Sequence, residues 1–160
     1  MDAGFLYVNG IFKTNTDLIK RATDDIRPDD WLLKPGDGSN HLLWVTGHLI
    51  GSRGGAIKTL GVDWSTPWSA LFARGATPAP PEQYPSVDEI RKAWSDVSAR
   101  LSAALAEAPA EALAKPAPEG KRSLDGKVGG VVAFLADHET YHVGQICYLR
   151  KWLGYGQTVG

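Results

Sequence analysis

The sequence predicts an all-α protein folded as a four-helix bundle, and three observations lead to that prediction. Apolar residues recur every three or four positions in four segments of about 20 residues each. No segment shows the sustained alternation of apolar and polar residues that is typical of a β-strand. Two long connections, residues 61–85 and 109–126, separate the later segments. At 160 residues the chain is expected to form one domain over 1–160, with the connections as crossovers or caps of the bundle.

The helices are predicted over residues 3–26, 40–60, 86–108 and 127–153. Pro28 ends the first helix, because proline lacks the backbone N–H that a helix interior needs. Ser39 or Asn40 is the expected N-cap of the second helix, and Gly61 is its expected terminating residue.

Three glycines leave two interpretations of the second helix open: Gly51, Gly54 and Gly55. Each costs up to about 1 kcal/mol of helix stability relative to alanine. Either they permit close helix packing, or the helix breaks there.

The third helix has the clearest start in the sequence. Ser86 and Glu89 have the spacing of a capping box, in which each side chain accepts a hydrogen bond from a free backbone N–H. Pro109 closes this helix. The fourth helix is expected to begin near Gly126–Val128 and to end near Gly154.

The first long connection is rich in aromatic residues. Residues 61–85 carry Trp64, Trp68, Phe72 and Tyr84. Connections longer than about 12–15 residues often cover a site. The segment is therefore either a packed lid or a surface loop whose aromatic rings fill the end of the bundle.

Composition excludes several classes of protein. A formal net charge of −1 gives no electrostatic argument for nucleic acid or an anionic membrane as partner. Cys147 is the only cysteine, which excludes an intramolecular disulfide and a thiolate zinc cluster. The start of the chain lacks the pattern of a secretory signal, and no run approaches the roughly 18 apolar residues that span a bilayer. The sequence thus predicts a cytoplasmic protein without nucleic-acid or membrane partners.

His138 and His142 are the strongest candidate functional residues. They lie four positions apart on the inward stripe of the last helix, so their Cβ atoms are roughly 6 Å apart on one face. A buried imidazole without a partner costs about 1–3 kcal/mol. Two neutral imidazoles in this arrangement can bind one divalent metal. The alternative is a pair of core histidines bonded to helix carbonyls or to buried polar groups.

A third ligand is expected from the second helix, since a site with an open position generally has three protein ligands. His41, Trp44 and His48 fall at i, i+3 and i+7, on one stripe of that helix. We predict His48 as the third ligand and Trp44 as a wall of the site. His41 is expected either to cap the helix or to touch the site.

Three side chains near the histidine pair have less defined roles. Gln145, two turns after His138, either orients a ligand or bound water or bonds to a neighbouring helix. Glu139 is expected to make a surface or inter-helix contact. Tyr141 lies off the ligand stripe, and neither Tyr141 nor Glu139 is assigned a catalytic role.

Residues 138–142 also match the H-E-x-x-H pattern of zinc proteases. That family uses the glutamate as general base and takes its third ligand from downstream. Residues 143–160 contain no His, Asp or Glu. The third ligand would therefore have to come from upstream of the pair, which is not the order found in these proteases, and a protease is only a remote alternative.

Two motifs resemble those of the DinB-like (DinB/YfiT-like) superfamily. Residues 44–49 resemble its W-x-x-G-H-L motif, and residues 138–145 resemble its H-x-x-x-H-x-G-Q run. The tail over 148–154 is similar to the usual end of its members, so the resemblance spans essentially the whole chain. It implies an up-down-down-up bundle, frequently a homodimer, with His48, His138 and His142 binding zinc, nickel or iron.

The resemblance also implies a function. Relatives in this superfamily include transferases and isomerases that use small thiols such as bacillithiol or mycothiol. We therefore expect a metal-dependent enzyme acting on a small-molecule substrate, with S-transfer from a small thiol cosubstrate ahead of hydrolysis. The alternative is a non-catalytic, stress-associated dimeric bundle that binds metal. An open site beside Trp44 and residues 61–85 favours catalysis, whereas a fourth ligand such as His41 favours a structural role.

Overall fold

The computed structural model describes residues 3–158, with side chains from Phe5 onward, and this part of the chain is helical without strands. Its helices are α1 (Ala3–Thr23), α2 (Leu42–Thr59), α3 (Val87–Glu107), the single-turn α4 (Ala110–Leu113) and α5 (Val128–Trp152). Three short 3₁₀ turns lie between them, at Pro28–Leu32, Ser69–Phe72 and Pro81–Gln83. The predicted all-α class is confirmed, and α4 lies in a connection that the sequence predicts as a loop.

The ends of the helices show which of the predicted capping and terminating residues are used. Ser86 and Glu89 form the predicted capping box of α3. Gly61 ends α2 with a φ of +90°, a conformation that only glycine adopts without strain. Helix α1 ends at Thr23, three residues before the predicted end at residue 26, and the chain then enters the 3₁₀ turn that begins at Pro28.

Ser39 or Asn40 as the N-cap of α2 is a wrong prediction, whereas the expectation that His41 caps this helix is confirmed. His41, not Ser39 or Asn40, caps this helix, because its Nδ1 accepts a hydrogen bond of 3.1 Å from the backbone N–H of Trp44. An imidazole nitrogen thus takes the place of the side-chain oxygen that usually caps a helix. The His41 ring is held by an edge-on contact with Tyr84, at 5.1 Å between ring centroids.

The four long helices pack around one core. Helix α1 contacts α3 and α5, and α2 also contacts α3 and α5. Apolar side chains from all four are at most 1% exposed, among them Ile19, Leu49, Ile57, Ile90, Leu101, Leu105, Val132 and Ile146. Full burial of such a side chain contributes about 1.5–3 kcal/mol. The packing of α2 on α5 brings the two histidine-bearing helices together.

A buried arginine joins all four long helices. Arg53 of α2 and Glu139 of α5 are each 1% exposed, and their bidentate ion pair measures 2.7 Å at both contacts. Arg53 also donates to Ser98 of α3 and to the Phe12 carbonyl and Thr16 hydroxyl of α1. The inter-helix role expected for Glu139 is therefore the one observed.

The glycines of α2 neither break the helix nor pack against another helix. Helix α2 continues to Thr59, and a Cβ on Gly54 would lie 2.7 Å from the ring of Trp64 in the connection. Nothing lies within 4 Å of a Cβ built on Gly51 or Gly55. The missing side chain of Gly54 thus allows the 61–85 connection, and not another helix, to pack closely against α2. Of the helices within residues 3–158, none is long and apolar enough to cross a membrane.

Candidate metal centre

Helices α2 and α5 bring three histidines together. The potential ligand atoms of His48, His138 and His142 all lie within 4.8 Å of one another. The Nε2 atom of His138 is 3.4 Å from Nε2 of His48 and 3.1 Å from Nε2 of His142. We call these three residues the histidine cluster. It unites the pair predicted on the last helix with the third residue predicted on the second.

These separations fit a tetrahedral metal site. A zinc ion with Zn–N bonds of about 2.0–2.1 Å sets its ligand nitrogens about 3.3 Å apart. The two measured Nε2···Nε2 distances lie on either side of that value. Each of these two pairs could therefore bind one divalent metal with little rearrangement, and the ligand atoms of the third pair, His48 and His142, lie within 4.8 Å of each other.

The outward nitrogens fix the protonation of two rings. Nδ1 of His48 donates to the backbone carbonyl of Phe72 at 2.8 Å, and Nδ1 of His142 donates to Oε1 of Gln145 at 2.6 Å. Because a carbonyl oxygen only accepts, each Nδ1 carries a proton, and in the neutral ring Nε2 then presents a lone pair. A proton on Nε2 of His138 pairs well with only one of these lone pairs, whereas a cation pairs with all three nitrogens. The donor set thus fits a metal better than it fits a hydrogen-bonded triad.

Burial keeps two of the rings neutral. Together with the neighbouring His142 and His48, and against an opposing effect of Asp137, it lowers the pKa of His138 to about 4, and burial is the largest of these causes. Burial also lowers the pKa of His142, although the hydrogen bond to Gln145 opposes this. Neutral imidazole is the form that binds metal.

Trp44 and Gln145 lie beside the cluster. The indole of Trp44 stacks on the His48 ring, with 5.1 Å between centroids and 5° between planes. Gln145 Nε2 also donates to the hydroxyl of Tyr141 at 3.2 Å. Tyr141 therefore belongs to the surroundings of the site, although the sequence places it off the ligand stripe.

His41 does not join the cluster. It caps α2, and burial followed by the charge of Lys34 lowers its pKa to about 4. Within residues 3–158, the group of metal-binding side chains around the cluster contains only the three histidines. No fourth ligand of that kind from the described part of the chain closes the site.

Phe72 and Gly47 are site residues that sequence reasoning missed. The Phe72 ring is 2% exposed and packs so closely on α2 that a Cβ at Gly47 would lie 2.6 Å from it. This contact brings the Phe72 carbonyl to His48. The glycine before His48 and the aromatic residues of 61–85 were the sequence features that could have indicated this contact. A backbone carbonyl, however, is present in every residue, so no sequence pattern identifies the one that binds His48.

A cavity of about 910 Å³ opens beside the cluster, a size suited to a small molecule. Its walls include the three histidines, Trp44, Tyr141 and Gln145, together with Ser69, Phe72, Ala73, Arg74 and Gly75 of the first connection and Gly120, Lys121 and Arg122 of the second. The 61–85 connection thus both lines the cavity and places an aromatic ring in the core.

Glu139 does not line this cavity. Its carboxylate is buried in the ion pair with Arg53, although H-E-x-x-H proteases require a glutamate beside the metal. The protease alternative therefore lacks both a downstream ligand and a general base.

The fold and the cluster define an all-helical protein with a candidate three-histidine metal centre. A family model described as the DinB superfamily matches residues 11–146, a range that includes all three histidines. The chain therefore belongs to the DinB superfamily, and the resemblance seen in the sequence is confirmed. A search of curated proteins gave no match.

Proposed function

We propose that the protein is a divalent-metal-dependent enzyme in which His48, His138 and His142 bind zinc, nickel or iron. We further propose S-transfer between a small thiol and a small-molecule substrate as its reaction, ahead of hydrolysis. The observation that carries this proposal is a three-nitrogen cluster on the wall of a 910 Å³ cavity, to which residues 3–158 add no fourth His, Cys, Asp or Glu ligand. Three protein ligands and an open position are typical of catalytic sites.

Different residues of the chain would position the metal ligands and hydrogen-bond the substrate in this mechanism. A bound divalent cation supplies a Lewis acid that stabilises a thiolate sulfur or polarises a substrate oxygen. The Phe72 carbonyl and the Gln145 amide hold two imidazoles with Nε2 directed inward. Because Gln145 donates to the oxygen of Tyr141, the O–H of Tyr141 is free to donate to a substrate in the cavity. Trp44 limits the movement of the His48 ring.

The second candidate is a non-catalytic, stress-associated dimeric bundle in which metal serves stability. The experiment that separates the two begins with protein purified without chelator, whose metal is identified by elemental analysis. Small thiols, bacillithiol and mycothiol among them, are then screened by thermal shift. We expect thiols to shift the melting temperature of the metal-loaded protein and not of H142A. Metal that raises the melting temperature without any thiol response favours the structural candidate.

We propose an up-down-down-up order for the four long helices and a single domain over 1–160. The contacts of α1 with α3 and α5, and of α2 with α3 and α5, support this arrangement.

We propose that the protein forms a homodimer. Two large side chains four positions apart on one face of α5 are exposed outside the cavity: Tyr148 at 61% and Trp152 at 44%. A second copy of the chain that covers this face would bury them. Light scattering of the wild type and of Y148E/W152E checks this, and a monomeric wild type would contradict it.

A further inference from the structure

The charged side chains of the cavity wall, apart from the histidines, are all basic. Arg74, Lys121 and Arg122 line it, and none of the Asp and Glu residues described in 3–158 does. The chain as a whole has 18 acidic and 17 basic residues, so this separation of charge is local. We call these three residues the cationic rim.

The cationic rim has no acidic partner in the described part of the chain. The ion pairs found there use other basic residues, namely Arg27, Arg53, Lys58, Arg91, Arg100 and Arg150. The side chains of Arg74, Lys121 and Arg122 make no hydrogen bond to residues 3–158 and are exposed at the cavity mouth. Three unneutralised cations around one cleft attract anions, because the low-dielectric walls focus their field.

The rim is built by two separate connections. Arg74 follows the 3₁₀ turn Ser69–Phe72, whose Phe72 carbonyl binds His48. Lys121 and Arg122 follow Gly120, which turns the chain with a φ of +73°. The guanidinium of Arg122 lies 5.8 Å above the Phe134 ring, and that ring is 6.2 Å from the His138 ring. A row of contacts therefore leads from the rim to the histidine cluster.

We infer that the substrate or thiol cosubstrate carries an oxyanion, a carboxylate or phosphate, which binds the cationic rim while its reacting group lies at the histidine cluster. Guanidinium groups pair with both oxyanions through two parallel hydrogen bonds. This inference rests on the proposed function for the identity of the reacting group. Binding of an anion to the rim, however, is tested independently of the reaction. Arg74, Lys121 and Arg122 are in this view specificity-determining residues.

Calorimetric binding to the zinc-loaded protein tests the inference with two thiols, mercaptosuccinate and the neutral 1-thioglycerol. We expect mercaptosuccinate to bind at least ~10-fold more tightly, because hydrogen bonds between charged groups exceed neutral ones by about that factor. In R74Q/R122Q the preference should fall to about 2-fold or less, with an unchanged zinc content by elemental analysis. The control K20Q/R21Q removes the same charge from the exposed face of α1 and should keep the preference.

Two further probes separate this inference from the proposed function. Succinate and inorganic phosphate lack a thiol, and in the zinc-free protein no metal can bind their oxygens, so their binding to the zinc-free protein reports on the rim alone. Binding of either one that is lost in R74Q/R122Q supports the inference and identifies the oxyanion. The inference is overturned if neither anion binds, or if R74Q/R122Q binds both as tightly as the wild type. Failure of the protein to bind zinc, nickel or iron overturns the proposed function instead.

Discussion

Arg53 and Glu139 form a completely buried, bidentate ion pair between α2 and α5, five residues after His48 and one residue after His138. The pair joins the two helices that carry the candidate ligands at a point next to the cluster. Such a pair adds little net stability compared with apolar residues, because both charges lose their hydration. Its effect is to fix how α2 and α5 lie against each other, since each of the three guanidinium nitrogens donates to a defined partner.

Replacing Glu139 by glutamine should destabilise the fold strongly. Gln keeps the shape but leaves Arg53 as an uncompensated buried charge, and breaking a buried pair in this way costs about 3–5 kcal/mol. Urea unfolding followed by circular dichroism measures the effect. The control is D137N, an exposed change two residues earlier on the same helix, which should change the free energy of unfolding by less than ~0.5 kcal/mol. Equal stability of E139Q and the wild type would contradict the role given to the pair.

Loss of a cluster histidine should remove the metal. H142A should abolish stoichiometric metal binding, and H48A should weaken the affinity at least ~10-fold, because even partners of the ligands contribute that much. Elemental analysis and competition with a chromophoric chelator measure stoichiometry and affinity. H41A is the matched control, since His41 caps α2 outside the cluster and should leave binding intact. Full metal retention by H142A would refute the assignment.

Adding a methyl group at Gly47 should disturb the hydrogen bond to His48. In G47A the new Cβ would lie 2.6 Å from the buried Phe72 ring, so the ring and its carbonyl must move. We expect about 1–3 kcal/mol of destabilisation from this overpacking, together with weaker metal binding. G51A on the same helix meets nothing within 4 Å and should stabilise by up to ~1 kcal/mol. Identical behaviour of the two variants would argue against a special contact at Gly47.

Acid should destabilise the protein partly through the cap of α2. Folding lowers the pKa of His41 from 6.5 to about 4, so between these pH values the unfolded chain binds more protons than the folded one. Stability from this residue is therefore complete above pH 6.5 and decreases as the pH falls towards about 4. Asparagine caps helices without titrating, so H41N should lose less stability over this range than the wild type. Thermal unfolding of both proteins across this pH range measures the difference. If the melting temperatures of the two proteins fall equally with pH, His41 is excluded as the cause of the acid destabilisation.

Local sequence patterns determined the helix ends and the spacing of the histidine pair. The capping box at Ser86 and the glycine that ends α2 depend on residues a few positions apart. The same holds for the His138–His142 pair, because one helical turn sets its spacing whatever surrounds it. The stripe of His41, Trp44 and His48 on the second helix extended the prediction to the third histidine, and hence to a site shared by two helices, and the family motif around His48 supported it.

Tertiary structure decided what lies around those residues. Arg53 meets Glu139 across 86 positions of sequence, the Phe72 carbonyl reaches His48 from a loop, and two separate connections place the cationic rim at the cavity. His41 caps α2 while its ring packs against the distant Tyr84. Periodicity and spacing describe neighbours along one helix, whereas these contacts depend on which helices pack together and on where the loops between them run.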